Sequence, residues 1–157
     1  MKTLIVYESS FGNTEEIAFA IRDVLSGSGA VKTVKPDGFT QEDLAGIDLL
    51  VVGSPTQKFR PLKGISGFLS SIRPGSLKNV KTAAFDTRID IKKVNSRMLN
   101  FMAFLFGYAA QPIDKKLISR GGTRIVPAAG FFVDDTKGPV SAGEIEKAKE
   151  WARRMLA

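Results

Sequence analysis

Cysteine and histidine are both absent from this chain of 157 residues. The first absence excludes disulfides, thiolate metal centres and cysteine nucleophiles. The second removes the commonest metal ligand and the commonest general base. Any redox chemistry must therefore come from a bound group. Acidic residues are scarce in one stretch: residues 58–97 hold ten Lys or Arg against only Asp86 and Asp90, and the whole chain carries a formal net charge of +7. Such a concentration of positive charge predicts an acidic partner, an anionic membrane surface or another polyanion, or else a solvated face kept positive for solubility. No apolar run approaches the roughly 18 residues of a membrane span. Met1-Lys2 leads directly into the short run Thr3-Leu4-Ile5-Val6-Tyr7, too brief for the core of a signal peptide. A cytoplasmic location is the expectation.

What is present reads as one α/β domain over residues 1–157, long enough to bury a full core. Runs rich in β-formers at 3–7, 30–34, 47–53, 81–86 and 123–133 alternate with helical patterns. The third run, Ile-Asp-Leu-Leu-Val-Val-Gly, is nearly continuous apolar sequence, as in a parallel strand covered on both faces. Ile17, Ile21, Val24 and Leu25 mark one helix face, with Gly27 and Gly29 beyond it; Leu62, Ile65, Phe68, Leu69 and Ile72 mark a second. Another helix is expected near 109–120. The last opens with Ser141-Ala-Gly-Glu144, a capping-box spacing, and turns Ile145, Ala148, Ala152 and Met155 inward. Strand–helix alternation of this kind predicts right-handed βαβ units and a parallel sheet between two helical layers.

Three loops carry chemistry. The first strand runs into Glu8-Ser9-Ser10-Phe11-Gly12-Asn13-Thr14, and a helix follows at once. The start of a helix offers unpaired amides and the positive end of the dipole, which suits a phosphate. Ser9, Ser10 and Thr14 add hydroxyls, Gly12 lets the backbone approach, and Asn13 with Glu16 can cap the helix. No lysine stands in the loop and G-x-x-x-x-G-K-[ST] does not match, so a triphosphate is not the expected ligand. Neutral donors suit a phosphate monoester. The second loop is Gly53-Ser54-Pro55-Thr56-Gln57-Lys58-Phe59-Arg60-Pro61 and the third Phe85-Asp86-Thr87-Arg88. In a sheet of order 2-1-3-4-5 all three meet at the carboxyl edge, around the switch point.

With these loops in order at strand ends, the chain resembles the flavodoxin family over nearly its whole length. Ile113-Asp-Lys-Lys-Leu117 followed by Gly121-Gly-Thr-Arg-Ile-Val126 is similar to that family's fourth helix and fifth strand. The resemblance implies a three-layer, doubly wound, five-stranded parallel sheet and a non-covalently bound FMN. It implies that Ser9, Ser10, Gly12, Asn13 and Thr14 hold the phosphate, with Phe11 standing where the family usually has a small hydroxyl residue. It further implies that Ser54, Pro55, Thr56, Gln57, Phe59 and Arg60, with Asp86, Thr87 and Arg88, flank the flavin ring, Phe59 being placed to stack on it. Other proteins of this topology do not fit: a response-regulator receiver needs an acceptor aspartate where Val52-Gly53-Ser54 stands, and a low-molecular-weight tyrosine phosphatase needs a cysteine.

The implied function is electron carriage between a reductase and an acceptor, with acidic redox partner proteins and no nucleic acid. Two alternatives stay open, an FMN oxidoreductase acting on a quinone or porphyrinogen-like substrate and a fold-sharing interaction module without FMN. Beyond Phe11, the sequence departs from the family in two places. Lys58, Arg60 and Arg88 put positive charge in the ring loops, and no glycine stands near Thr56-Gln57-Lys58 to take a positive φ freely. Both features predict a less negative second reduction step and little of the one-electron form. The second departure is residues 89–106, with the apolar run Met98-Leu-Asn-Phe-Met-Ala-Phe-Leu-Phe106 after Lys92, Lys93 and Arg97. It is either the start of a core helix or an apolar lid that meets a partner, a quinone or an anionic membrane surface.

Overall fold

The computed structural model describes residues 1–91 and 96–157, apart from the side chains at 99, 105 and 106. The strands are β1 (Thr3–Tyr7), β2 (Val31–Val34), β3 (Leu49–Pro55), β4 (Lys81–Ile89), β5 (Thr123–Arg124) and β6 (Ala129–Val133). The helices are α1 (Asn13–Leu25), α2 (Lys63–Ser71), α3 (Arg97–Phe106), α4 (Ala110–Ser119) and α5 (Glu144–Arg154). The sheet is parallel with order β2-β1-β3-β4, and β5 and β6 lie in succession along the outer edge of β4.

The expected fifth strand, 123–133, is therefore interrupted. Thr82 pairs with Arg124 but Phe85 with Ala129, so residues 125–128 form a bulge with two more residues than β4 offers opposite. Pro127 lies within it and cannot donate to the ladder. Its carbonyl instead accepts the Trp151 indole N–H at 3.0 Å. Strand β4 continues three residues past the expected end at Asp86, because β6 pairs with it out to Ile89.

Alternation along the strands builds two cores. Ile5, Tyr7, Val51, Ala83 and Phe85 face α1 and α5, meeting Ile17, Ile21, Ala148 and Trp151. Leu4, Val6, Leu50, Val52 and Ala84 face α2 and α4, meeting Ile65, Phe68, Ile113 and Leu117. Phe85, Phe131 and Trp151 close the first core edge to face, with centroids 5.9–6.2 Å apart.

Two expectations about helix starts change. The N-cap positions of α1 and α5 are Gly12 and Gly143, which carry no side chain to cap with, so neither Asn13 with Glu16 nor Ser141 with Glu144 forms the expected cap. Glu144 is instead buried and accepts the Phe132 amide at 3.0 Å, tying α5 to β6. Helix α3 does not fill the core with its whole circumference: Met98, Phe101 and Phe104 are 72%, 60% and 85% exposed. Met102 and Ala103 are half-buried on its inner side.

The basic stretch is also divided by the fold. Lys78 and Lys81 lie at the amino edge of β4, and Arg73 follows the end of α2, which runs against the strands. Lys58, Arg60 and Arg97 lie toward the opposite, carboxyl edge, while Lys92 and Lys93 fall outside the described residues.

Candidate functional site

The carboxyl ends of β1, β3, β4 and β6 converge on one recess. Its deep part is a slot of about 80 Å³ lined by Ser9, Ser10, Asn13, Thr14, Thr87 and Thr136, with Phe11, Pro55, Thr56, Gln57, Arg88, Ile89 and Val133 also on its walls. Thr56, Arg88 and Ile89 are shared with an open cleft of about 500 Å³, whose other walls are Lys58, Phe59, Ile91, Tyr108, Asp134 and Asp135. That volume falls within the range of small-molecule sites. A second cleft of about 450 Å³ continues from Lys58 and Phe59 to Arg60 and Met102.

The loop after β1 turns at Gly12, whose φ of 92° lies in the left-handed region open to glycine, and α1 starts immediately after it. Within this turn the serine hydroxyls serve as acceptors toward the chain. Ser9 Oγ accepts the Gly12 amide at 3.0 Å, and Ser10 Oγ accepts Gln57 Nε2 at 3.3 Å. Thr14 Oγ1 and Thr87 Oγ1 lie 2.7 Å apart and share one hydrogen bond, which pins the loop to the end of β4. A hydroxyl used as an acceptor keeps its own proton to give, so Ser9, Ser10 and one of the two threonines have O–H donors left for a ligand. Among the described residues, the amides of Ser10, Phe11, Asn13 and Thr14 reach no acceptor in the chain. The slot is thus rich in donors at the positive end of a helix, which is the donor set a phosphate monoester requires.

Asp86 and Ser54 line neither cavity; both are fully buried and hold the walls. Ser54 Oγ donates to the Pro55 carbonyl at 2.8 Å and accepts the Leu62 amide at 2.9 Å, fixing the departure of the second loop. Asp86 receives Arg88 through two bonds, Nε to Oδ1 at 2.6 Å and Nη2 to Oδ2 at 2.7 Å. It also accepts the Ala110 amide at 2.9 Å, while Thr56 Oγ1 accepts the Ala109 amide at 3.0 Å, so the start of α4 is held from β3 and β4. Burial pushes the Asp86 carboxyl up from its ordinary range, against the pull of Arg88 and the Ala110 amide.

Arg88 lies flat between two walls. Its guanidinium carbon is 3.7 Å from the Tyr108 ring centroid, and a β-carbon at Gly130 would fall 2.2 Å from that same atom. Glycine at 130 is therefore what lets the arginine lie against β6. Because Asp86 neutralises it, Arg88 adds less positive charge to the cleft than the sequence suggests, and Asp134 and Asp135 bring acid to the same walls. Lys58 and Arg60 are exposed, and no carboxylate among the described residues pairs with either.

The second loop carries the other departure from expectation. Gln57 and Arg60 exchange both backbone hydrogen bonds at 2.9 Å, enclosing a two-residue turn. Lys58 and Phe59 occupy it with φ of 48° and 63°, as a tight hairpin of the primed type demands of both central residues. The steric cost expected from the missing glycine is thus already present in this turn. Phe59 is half-buried and lines both larger clefts.

Sequence reasoning missed Tyr108, Val133 and the Asp134-Asp135-Thr136 loop. The rule that ligands sit at the carboxyl ends of parallel strands, applied to the end of the last strand, would have found the loop. Tyr108 follows α3 and left no comparable signal.

No family model and no curated protein matches the chain. Solved structures do match it. Flavodoxin 1 from Bacillus cereus, in its oxidised form, superposes with a TM-score of 0.77 at 18% identity, covering 99% of this chain and 97% of that one. Oxidised flavodoxin 2 from the same organism gives 0.76 at 23%, covering 99% and 98%. The two-electron reduced flavodoxin of Megasphaera elsdenii gives 0.69 at 23%, covering 99% of each chain. The chain has the flavodoxin-like fold, end to end.

Proposed function

We propose that this chain binds FMN without a covalent link and carries electrons between a reductase and an acceptor. The supporting observation is the donor pattern of the slot: unpaired amides at the start of α1 beside Ser9, Ser10, Thr14 and Thr87 hydroxyls, with no lysine and with Arg88 already committed to Asp86. Those groups fit a singly esterified phosphate. The adjoining cleft, walled by Phe59, Ile89, Ile91 and Tyr108, fits a flat apolar ring. When bound, FMN supplies the redox chemistry. The residues bind it, orient it and keep water from it, and no side chain of the site needs to act as acid or base. The likeness to flavodoxins solved oxidised and reduced supports the same reading. Exposed Lys58 and Arg60 at the mouth would favour an acidic redox partner during encounter.

The absorption spectrum of the purified protein mixed with FMN tests the reading, through a shift and sharpening of the flavin band near ~450 nm. The paired substitutions Asn13→Ala and Thr14→Ala are expected to weaken FMN binding at least about tenfold, the loss of one or two good hydrogen bonds. Far-ultraviolet circular dichroism checks that the sheet persists. An unchanged affinity in the folded variant refutes the phosphate assignment.

A further inference from the structure

Helix α3 presents an apolar ridge that the molecule leaves uncovered. Met98, Phe101 and Phe104 project from one side of it at 72%, 60% and 85% exposure, the largest values among the described large hydrophobic side chains. Arg97 precedes Phe101 and Phe104 at helical spacing of four and seven, so it shares their face and is exposed with them. Residues 91–113 contain no Asp or Glu. The half-buried Met102 behind the ridge lines a cleft with Lys58, Phe59 and Arg60 of the hairpin, which joins the ridge to two further exposed cations.

We propose that this face docks on an anionic lipid bilayer, with α3 lying in the plane of the headgroups. Phe101, Phe104 and Met98 enter the apolar boundary, and Arg97, Lys58 and Arg60 meet lipid phosphates at its rim. The charge decides the occupant. A second copy would set cation against cation across the contact, which repels. A protein partner needs matched relief, and the three side chains stand out singly at high exposure rather than lining a groove. A bilayer asks for no matched shape and rewards both apolar insertion and a basic rim. No helix among the described residues is long and apolar enough to cross the membrane, so the contact is peripheral. Because the ridge and the cleft share the 58–60 hairpin, docking turns the mouth of the candidate site toward the lipid. The contact needs no bound flavin, so its failure and that of the FMN reading are told apart.

The test is co-sedimentation of the full chain with phosphatidylcholine vesicles, with and without about 30% phosphatidylglycerol. The protein is expected to pellet with the anionic vesicles only, and to be released by about 0.5 M salt. Phe101→Ser with Phe104→Ser should lower the partition coefficient about tenfold or more. Both side chains are exposed, so the melting temperature should not move. Phe104→Trp should shift its emission to the blue on anionic vesicles. Wild-type protein that ignores anionic vesicles overturns the proposal, as does a double variant that binds them equally well. Sedimentation showing a dimer that the double variant abolishes, with no vesicle uptake, would assign the ridge to a second copy. Loss of binding to a reductase without any vesicle uptake would assign it to a protein.

Discussion

Asp86 illustrates how a wall residue can matter more to a site than a lining one. Its carboxylate is fully buried and shared between the Arg88 guanidinium and the start of α4. Removing it leaves the half-buried Arg88 cation and the Ala110 amide without their acceptor, so Asp86→Ala should cost about 2–4 kcal/mol in urea unfolding. Gly130→Ala should act through the same group: the new methyl would meet the guanidinium and displace it from the Tyr108 ring. Tyr7 offers a pH signature at the same scale. Its hydroxyl donates to Glu15 Oε2 at 2.6 Å, and burial, then that bond, pushes its pKa up to about 12. Between pH ~10 and ~12 the native phenol keeps its proton while the unfolded one gives it up, so stability falls as pH rises through that window. Tyr7→Phe should remove about 1–3 kcal/mol of that fall. The check is the difference in melting temperature between the two proteins at pH 9 and at pH 11.5, read as roughly the size of this linkage.

At the scale of elements, helix existence was legible because Ile17–Ile21 and Ile65–Leu69 repeat at helical spacing, and both pairs are buried as expected. The starts of α2 and α4 were not legible, because the groups that cap them lie elsewhere in the chain. Glu8 Oε1 accepts the Ile65 amide at 3.1 Å to serve α2, and Thr56 and Asp86 serve α4, partners about 25–60 residues away that no local pattern encodes. The bulge at 125–128 was hidden for a related reason: alternation reads one strand's length, while a bulge depends on the count of residues opposite it. The 57–60 hairpin makes a testable case. Lys58 pays for a left-handed backbone that glycine would adopt freely, so Lys58→Gly should stabilise the fold by about 0.5–1 kcal/mol in urea unfolding. Equal or lower stability would show that this turn is not strained.

For the whole molecule, a parallel sheet was legible from strand–helix alternation and from the nearly unbroken apolar third strand, since a sheet covered on both faces leaves that mark, while its order came with the resemblance to flavodoxins. The same topology brings together loops separated by up to about 120 residues, and it is why Ser9–Thr14, Pro55–Gln57 and Thr87–Arg88 meet in one slot. Charge was legible only as a sum. Folding sends Arg73, Lys78 and Lys81 to one edge, pairs Arg88 with Asp86 and leaves Lys58 and Arg60 at the cleft, a division no count along the chain can show. The central claim is that the amides and hydroxyls at the start of α1 clasp a phosphate ester. Parallel calorimetric titrations with FMN and with riboflavin, which lacks only the phosphate, test it most directly. Micromolar or tighter affinity for FMN and roughly hundredfold weaker binding of riboflavin are expected. Equal affinity for the two, or no binding of either, would contradict it.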